Sequence, residues 1–449
     1  MNQTPPLPSS VAEVSYPEIP SRKLPNGMTV LVVENRRIPR LGVRLLVRAG
    51  RIHNPDDNLS LIPLAAELLK QGTAWRDAEQ IAGQLDQAAI QFDLDIHMEH
   101  CLLDMDLLAS QIETGMELLS EMVRFPTFPE EELQKLKVRW HSELIGQRSI
   151  PEFLAKERLY HTLYPDHPYR KWTMTPEQLE AASREQIEEV FRSRFVPSEA
   201  ILLLAGAISP QQGFRLAESH WGSWHGERPD QPDFASLAAH ESRRVELVHR
   251  PHSEQARLVV VGRTFPRGHP DAHRLRVANQ VLGGGASSRL FLNLREARGY
   301  TYGIYSFQRS FRHDGLLLAG TNVRSDVVGE SVREIFSEFR RLQQEPPGSQ
   351  EMAMARSELT GNFLFSLETP ASVGMLEITR RLYGLPENYF PTYLREVQAV
   401  SAGQVQQMAQ RYLNPDHFVV IAVGDRNKLE DSLQEFGSVQ VYDTEGKRL

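Results

Sequence analysis

Apolar and polar positions along this chain follow two periods, and the same succession of periods occurs twice. In the stretch that begins at Ser183, apolar residues recur every three or four positions, which predicts a helix, and a continuous apolar run from Ala200 to Gly206 follows. The stretch that begins at Ser401 repeats this plan and leads into the apolar run from Phe418 to Gly424. Continuous apolar runs of this length are typical of central strands that are covered on both faces.

The two stretches are related by a constant offset of 218 residues, since 401 − 183 = 218 and 424 − 206 = 218. Each begins with Ser-x-x-Gln, a capping box in which hydroxyl and amide satisfy the first free backbone N–H groups of the helix. Each helix ends before a proline, Pro197 in one copy and Pro415 in the other. An offset near half the chain length indicates duplication, and it predicts a β-sheet backed by helices, built twice.

The repeat predicts two domains joined by a linker. We expect the first domain over residues 1–224, the linker over residues 225–241, where prolines stand among charged residues, and the second domain over residues 242–449. Gly72, after the first long helix, is expected in the left-handed conformation that ends many helices. Periodicity also predicts strands over 43–49, 245–249 and 256–261 and helices over 59–70, 130–147 and 326–344.

Charge and composition exclude several classes of protein. The net charge of −8 argues against a nucleic-acid partner and against an anionic membrane surface. The longest apolar runs have the length of a strand and fall short of a membrane span. The single cysteine, Cys101, rules out an intramolecular disulfide framework. The first twenty residues do not have the pattern of a signal peptide, so we expect a cytoplasmic protein, or a periplasmic one if the chain is a processed form.

Three segments, in order, carry a resemblance to a known family. The chain from Lys23 passes through a tight turn at Asn26-Gly27 into a strand, Gly-Thr at 72–73 follows the first long helix, and the second half contains Gly-Gly-Gly-Ala-Ser-Ser-Arg-Leu-Phe at 283–291 and Leu-Arg-Glu-Ala-Arg-Gly at 294–299. These segments resemble the pitrilysin/insulinase family of zinc metallopeptidases, in the branch of the mitochondrial processing peptidases and respiratory-complex core proteins. The resemblance spans about residues 24–425. It implies an α+β fold of two homologous domains, each a mainly antiparallel mixed β-sheet backed by α-helices.

Active members of that family carry His-x-x-Glu-His on the first long helix, where one helical face presents both histidines to zinc and the glutamate is the general base. Counted back from the Gly-Thr at 72–73, the three motif positions fall on Pro63, Ala66 and Glu67, so both histidines and the base are absent. The family's more distant glutamate ligand falls on Glu143. Two carboxylates are fewer than the three protein ligands that a catalytic zinc needs, so we predict no metal in this chain.

A second group of possible metal ligands comprises His97, Glu99 and His100. They end a run in which polar and apolar residues alternate, which is the pattern of a strand. On a strand His97 and Glu99 share one face and His100 points away. We therefore interpret the run as a half-exposed strand with a polar face and not as a metal site.

In the family's second domain, an arginine and a tyrosine seven residues apart contact the peptide near the zinc of the opposing domain. Arg295 and Tyr302 have this spacing here, since 302 − 295 = 7. An arginine offers several donors to a peptide carbonyl, and a tyrosine hydroxyl can stabilise the charge that develops on that carbonyl. The alternative is that Arg295 pairs with a carboxylate of its own helix and that Tyr302 packs at a strand start.

The resemblance leads to three hypotheses. In the first, the chain is the non-catalytic subunit of a heterodimeric zinc metallopeptidase: a homologous partner holds the zinc, and this chain binds peptide in a closed chamber and supplies Arg295 and Tyr302. Extended peptides would add to a sheet edge by backbone hydrogen bonds. In the second, it is a structural, assembly or peptide-binding scaffold with no role in proteolysis. The third, a peptidase with a relocated metal site, is disfavoured because no other ligand triad is visible.

Overall fold

The computed structural model describes residues 16–230, residue 234 and residues 242–449, and they form two six-stranded sheets. The strands of the first sheet are β1 (Ser21–Lys23), β2 (Thr29–Glu34), β3 (Arg40–Val47), β4 (Gln91–Ile96), β5 (Cys101–Leu108) and β6 (Ala200–Gly206). Those of the second are β7 (Arg244–His249), β8 (Gln255–Arg263), β9 (Ile304–Ser310), β10 (Gly315–Arg324), β11 (Val419–Gly424) and β12 (Val439–Tyr442).

Helices cover both sheets. In the first half they are α1 (Leu61–Leu68), α2 (Ala78–Gln87), α3 (Ile112–Arg124), α4 (Glu130–Gln147), α5 (Pro151–Leu163), α6 (Pro176–Ala181), α7 (Arg184–Arg194) and α8 (Pro210–Trp221). In the second half they are α9 (Ala272–Gly283), α10 (Arg289–Phe291), α11 (Val328–Gln344), α12 (Ser349–Phe365), α13 (Pro370–Leu382), α14 (Tyr393–Ala399), α15 (Ala402–Tyr412) and α16 (Arg426–Leu433). Among the described residues, no helix combines the length and the apolar character needed to cross a membrane.

The two sheets share one strand plan. Their orders are β1-β2-β6-β3-β5-β4 and β12-β7-β11-β8-β10-β9. In both, the central strand (β6 or β11) pairs in parallel with one neighbour and antiparallel with the other, and the remaining strands towards β4 or β9 are antiparallel. The sheets differ at the opposite end, where β1 joins antiparallel and β12 joins parallel. The predicted α+β class, with mainly antiparallel mixed sheets backed by helices, is confirmed.

The repeated helix and strand are present in both halves. Ser183 caps α7 by accepting the Gln186 N–H at 3.3 Å, and Ser401 caps α15 in the same way by accepting the Gln404 N–H at 3.2 Å. In each box the glutamine side chain accepts the serine N–H in return. The strands β6 and β11, which follow these helices, are buried along their whole length. Both halves therefore place a capped helix before a fully covered central strand, as the pattern predicts.

One helix of each half packs on the sheet of the other half. Helix α5 packs on the second sheet, where Leu154 and Leu163 share a core with Val259 and Ile421. Helix α13 packs on the first sheet, where its residues Ile378 and Leu382 form a core with Leu31, Leu46, Ile201 and Leu203. The two helices occupy equivalent places in the repeat, since 370 − 151 = 219 and 382 − 163 = 219. Each sheet is thus covered on one face by its own helices and on the other by the exchanged helix.

The run from His97 to His100 is a turn, and the prediction of a strand there is wrong. Strand β4 ends at Ile96, and the His97 N–H donates to the His100 carbonyl at 2.8 Å to close the hairpin with β5. Glu99 is buried and accepts the Tyr169 hydroxyl at 2.6 Å and the Arg312 N–H at 2.9 Å. The carboxylate at this turn therefore has one partner from each half of the chain.

The prediction for Gly72 is also wrong, because its backbone is not left-handed. Helix α1 ends at Leu68, a turn follows over residues 69–70, and Gly72 then pairs with Asp77 in an isolated antiparallel bridge. A Cβ at Gly72 would lie 2.8 Å from Thr127 Oγ1 and from Pro129 Cγ, so close approach explains the glycine. Residues 225–230 contain no helix or strand, and most of the predicted linker lies outside the described residues. The domain limits remain a prediction.

Candidate functional site

Helix α1 carries the positions at which the family's zinc motif would stand. Pro63 is the third residue of the helix, where the backbone N–H has no partner in the helix, so proline is tolerated. Ala66 is fully buried in the core of the first half. Glu67 lies on the partly exposed side and faces α4. The helix is formed and packed without a ligand for a metal at the first or the second of these positions.

Arg139 on α4 lies between Glu67 and Glu143, the two carboxylates that remain at the family's metal-ligand positions and that we call the remnant of the metal site. Its Nη2 is 3.1 Å from Glu67 Oε1, and its Nε is 3.8 Å from Glu143 Oε1. Lys70 Nζ adds a second cation 2.7 Å from Glu67 Oε1. The spacing of the helices therefore still brings Glu67 and Glu143 near each other, with a guanidinium between them.

These residues do not fit a zinc ion. A catalytic zinc site presents three protein ligands and one open position. Here the two carboxylates are paired with Arg139, and Pro63 and Ala66 contribute no donor atom from their side chains. Nowhere in the described part of the chain do three histidine, cysteine, aspartate or glutamate side chains gather as a metal would require.

Arg295 lies on a π-helical turn, Leu292–Ala297, that follows α10. Such turns are rare and occur often at functional sites, because the extra residue redirects the side chains of the helix. The Arg295 guanidinium lies 4.8 Å from the centre of the Phe291 ring, and its Nη1 is 3.3 Å from Glu296 Oε1. Both members of this ion pair are about half exposed, so the pair holds the arginine weakly.

Tyr302 precedes β9 and is 94% exposed. Gly299, with φ of +62°, turns the chain between the π-helical turn and this tyrosine. The alternative in which Tyr302 packs at the strand start is wrong, since the ring projects from the surface. Its hydroxyl has no hydrogen-bond partner among the described residues. The structure leaves this phenol free for a group outside the chain.

Sequence analysis missed a row of exposed side chains on β9. Tyr305, Phe307 and Arg309 alternate with inward-facing residues, and Phe307 is 56% exposed. Among the described residues, strand β9 is the edge of the second sheet and pairs only with β10. On its other side the Ser306 carbonyl accepts the Asn279 side chain at 3.1 Å, and the described strands leave the rest of that side unpaired. The period of two in residues 304–310 was the available signal. It was obscured because large aromatic residues occupy the exposed face, where polar residues are usual.

Comparisons with known proteins identify the family of the chain. The sequence profile described as "Insulinase (Peptidase family M16)" matches residues 29–177, and that described as "Peptidase M16 inactive domain" matches residues 181–359. The chain belongs to peptidase family M16. Because the histidines and the general base of the zinc motif are absent from α1, it is a non-catalytic member of that family.

Relatives and solved structures cover almost the whole chain. The "Uncharacterized zinc protease YmxG" of Bacillus subtilis is 22% identical over 404 residues, 88% of this chain and 96% of that protein. The "Non-peptidase homolog YmxG" of Helicobacter pylori is 24% identical over 425 residues, 92% of this chain and 95% of the other. A crystal structure described as a peptidase M16 inactive domain from Pseudomonas fluorescens shares the fold, with a TM-score of 0.84, 24% identity and coverage of 91% and 98%.

Proposed function

We propose that this chain is the non-catalytic subunit of a two-chain zinc metallopeptidase. A homologous subunit would hold the zinc, and the two chains would enclose a peptide in a chamber. Arg295 and Tyr302 would act on the peptide beside the partner's zinc. The observation that carries the proposal is the 94% exposure of Tyr302, whose hydroxyl lacks a partner in the described chain, close in sequence to an arginine that is only weakly held.

The chemistry of the pair suits a peptide bond under attack. The Tyr302 O–H can donate to the carbonyl oxygen as negative charge develops on it, and the Arg295 guanidinium can donate to a neighbouring backbone carbonyl. The zinc and the attacking water would belong to the partner. The open edge of β9 begins two residues after Tyr302, so an extended peptide can also find backbone donors and acceptors there.

The state of the first half supports the same proposal. The histidines and the general base of the zinc motif are absent from α1, and Arg139 pairs with the two carboxylates that remain. The second half exposes donors that have no substrate in the chain itself. A subunit that works on another chain's metal needs such exposed donors and does not need a metal site of its own.

The test combines the purified chain with a His-x-x-Glu-His homologue from the same genome and measures cleavage of an unstructured peptide. We expect the mixture to cleave faster than the homologue alone, and this chain alone to be inactive. Tyr302→Phe should lower the stimulated rate by about 100-fold, the usual cost of one lost donor to a developing oxyanion. Arg295→Ala should also lower the stimulated rate, because it removes donors to a neighbouring carbonyl of the peptide.

Two controls are matched to these variants. Tyr305→Phe removes a hydroxyl from the same surface and keeps the aromatic ring on β9, and Arg298→Ala removes an arginine of similar exposure that is bound to Glu334 at 2.7 Å. Both should stimulate like the unchanged chain. Chelator-sensitive cleavage by this chain alone would overturn the proposal. Full stimulation by Arg295→Ala and Tyr302→Phe would favour the scaffold hypothesis instead.

A further inference from the structure

Three cations meet where the exposed edge strand β9 reaches the junction of the two halves. Arg309 is near the end of β9, Lys156 is on the exchanged helix α5, and Arg51 follows β3. We name these three residues the basic cluster. Its members come from both halves of the chain, so it exists only when the halves are assembled.

Several contacts hold the cluster together. Arg309 Nη1 donates to the Tyr160 hydroxyl at 3.2 Å, and Tyr160 lies one helical turn after Lys156 on the same face of α5. Lys156 Nζ lies 4.7 Å from the centre of the Trp172 ring, which stacks on Tyr160 with 6.0 Å between ring centres. The N–H of Arg51 donates to the His97 carbonyl at 3.0 Å, which fixes Arg51 beside the β4–β5 turn.

The members of the cluster form no ion pair with a described carboxylate, although Asp95 lies near its edge, where it acts on His97 together with Arg51 and Arg309. No carboxylate of the described residues lies within ion-pair distance of Arg51, Lys156 or Arg309. Burial, followed by the charges of Arg309 and Arg51, lowers the pKa of Lys156 to about 8. Burial likewise lowers the pKa of Arg51. Like charges held together without a counter-ion destabilise a fold, so an anionic ligand would relieve this repulsion.

We propose that the basic cluster is a carboxylate-binding site on the chamber wall, which holds an acidic side chain or the terminal carboxylate of a bound peptide. This inference rests on the proposed function, because it assumes that a peptide lies along the face that carries Tyr302. Arg309 is seven residues beyond Tyr302, and an extended chain advances about 3.3 Å per residue. Because Tyr302 lies in a bend before β9, the two points are at most about 23 Å apart. The acidic group would therefore stand up to about seven residues from the bond that contacts Tyr302.

The aromatic residues of β9 lie between these two points. Tyr305 and Phe307 project from the same face of the strand as Arg309, and Tyr305 lies 6.5 Å from Phe307 between ring centres. A peptide along this face would meet apolar rings first and the cations at its far end. The expected substrate is thus an extended peptide with apolar residues near the reacting bond and an acid further along.

The test measures binding of three unlabelled peptides to the full chain by calorimetry at low and high salt. One peptide carries glutamate at the predicted distance and an amidated C-terminus, one carries glutamine there and the same amide, and one carries glutamine and ends there in a free carboxylate. We expect the glutamate peptide, the free-carboxylate peptide or both to bind about tenfold more tightly than the neutral peptide at low salt. The comparison between them identifies the source of the carboxylate.

Variants of Lys156 and Arg309 show whether the cluster is responsible. Lys156→Gln and Arg309→Gln should each remove most of the preference, and neither side chain is part of the core. Arg192→Gln is the matched control, because Arg192 is an exposed arginine on α7 that pairs with Glu188. Equal affinity for all three peptides, or the same preference in both cluster variants as in the control, would overturn the inference.

The same peptides separate this inference from the proposed function. In the mixture with the zinc-bearing homologue, stimulated cleavage without any preference for a carboxylate would overturn the inference and leave the proposed function intact. A preference in binding that depends on the cluster, without any stimulation, would support the anion site and overturn the proposed function.

Discussion

The remnant of the metal site in the first half and the exposed pair in the second half have opposite electrostatic states. Glu67 is paired with Arg139 and Lys70, and Glu143 lies 3.8 Å from the same arginine, so the carboxylates of the first half face cations of their own chain. Tyr302 has no partner among the described residues, and Arg295 has only a weak ion pair at the surface. The halves share a strand plan and exchange equivalent helices. The difference shows that a duplicated fold can lose the ligands of a metal site in one copy and keep exposed donors in the other.

The largest expected effect concerns the buried motif position. Ala66→Glu would restore the family's general base, but it would place a carboxylate in a fully buried site with no metal to pair with it. We expect the free energy of unfolding to fall by about 3 kcal/mol or more, as measured by denaturant titration. Glu67→Gln, at a partly exposed neighbour, should cost less than about 1 kcal/mol. If Ala66→Glu is as stable as the unchanged chain, the motif position on α1 can still accept a carboxylate, which would contradict the expectation.

The shared frame can be tested with a matched pair of leucines. Leu163 and Leu382 are the last residues of α5 and α13, and both are buried against the opposite sheet. Leu163→Ala and Leu382→Ala should each lower the free energy of unfolding by about 3 kcal/mol, within the usual range for a buried leucine. Thermal and denaturant unfolding should report similar losses for both. A loss confined to one variant would mean that the exchange is structurally important in only one direction.

Acid should destabilise the first half before the second. Burial lowers the pKa of His53 to about 4, and the histidines with lowered pKa are His53, His97, His100, His161 and His167 in the first half against His273 and His313 in the second. An unfolded histidine, with a pKa of about 6.5, takes up a proton below that pH, whereas folded His53 stays neutral until about pH 4. Stability is therefore complete above pH 6.5 and is lost as the pH falls towards 4.

Hydrogen exchange followed by mass spectrometry at pH 7 and pH 5 would locate this loss. We expect about 2 kcal/mol from His53 alone over this interval, and a greater drop in protection in the first-half sheet than in the second. His53→Gln should reduce the pH dependence while the exchange of the second half stays as it was. Uniform loss of protection across both sheets would contradict the expected asymmetry.

The cation of the remnant can be removed directly. Arg139→Ala leaves Glu67 and Glu143 without their shared partner, and because Arg139 is half exposed the stability should change by less than about 1 kcal/mol. Zinc should still not raise the melting temperature, since two carboxylates do not complete a zinc site. The check is thermal unfolding with and without zinc. An increase in melting temperature that depends on zinc and on Glu143 would show that Arg139 alone prevents zinc from binding.

The smallest effect on stability is expected at the open pair. Arg295→Ala and Tyr302→Phe remove groups that contribute little to the fold, so the free energy of unfolding should change by less than about 0.5 kcal/mol. Denaturant titration of both variants checks this. A larger loss would assign the pair a structural role and weaken the interpretation of any loss of stimulation.

The duplicated frame could be predicted from the sequence because its signals are local. Capping boxes and continuous apolar strands depend on residues within a few positions of each other, so Ser183 and Ser401 revealed the repeat without any tertiary information. The positions of the remnant were accessible for a similar reason, because a fixed spacing on one helix locates Pro63, Ala66 and Glu67.

The features that the sequence did not reveal depend on distant contacts. Glu99 ends an alternating run that predicts a strand. Its burial against Tyr169 and Arg312 depends on residues far along the chain, so the turn at this position could not be predicted from the local pattern. Arg139 was not recognised because its role depends on the crossing of α1 and α4. The exchange of α5 and α13 was hidden as well, since an amphipathic helix does not specify which sheet it will cover.

The exchanged helix α13 has a consequence for synthesis of the chain on the ribosome. The first sheet is complete when β6 ends at Gly206, but the helix that covers Leu31, Leu46 and Leu203 ends at Leu382, 176 residues later (382 − 206 = 176). At a synthesis rate of about 5–20 residues per second, this apolar face stays exposed for roughly 10 to 35 seconds before α13 is complete. Nascent chains of this protein should therefore be clients of a ribosome-associated chaperone during that interval.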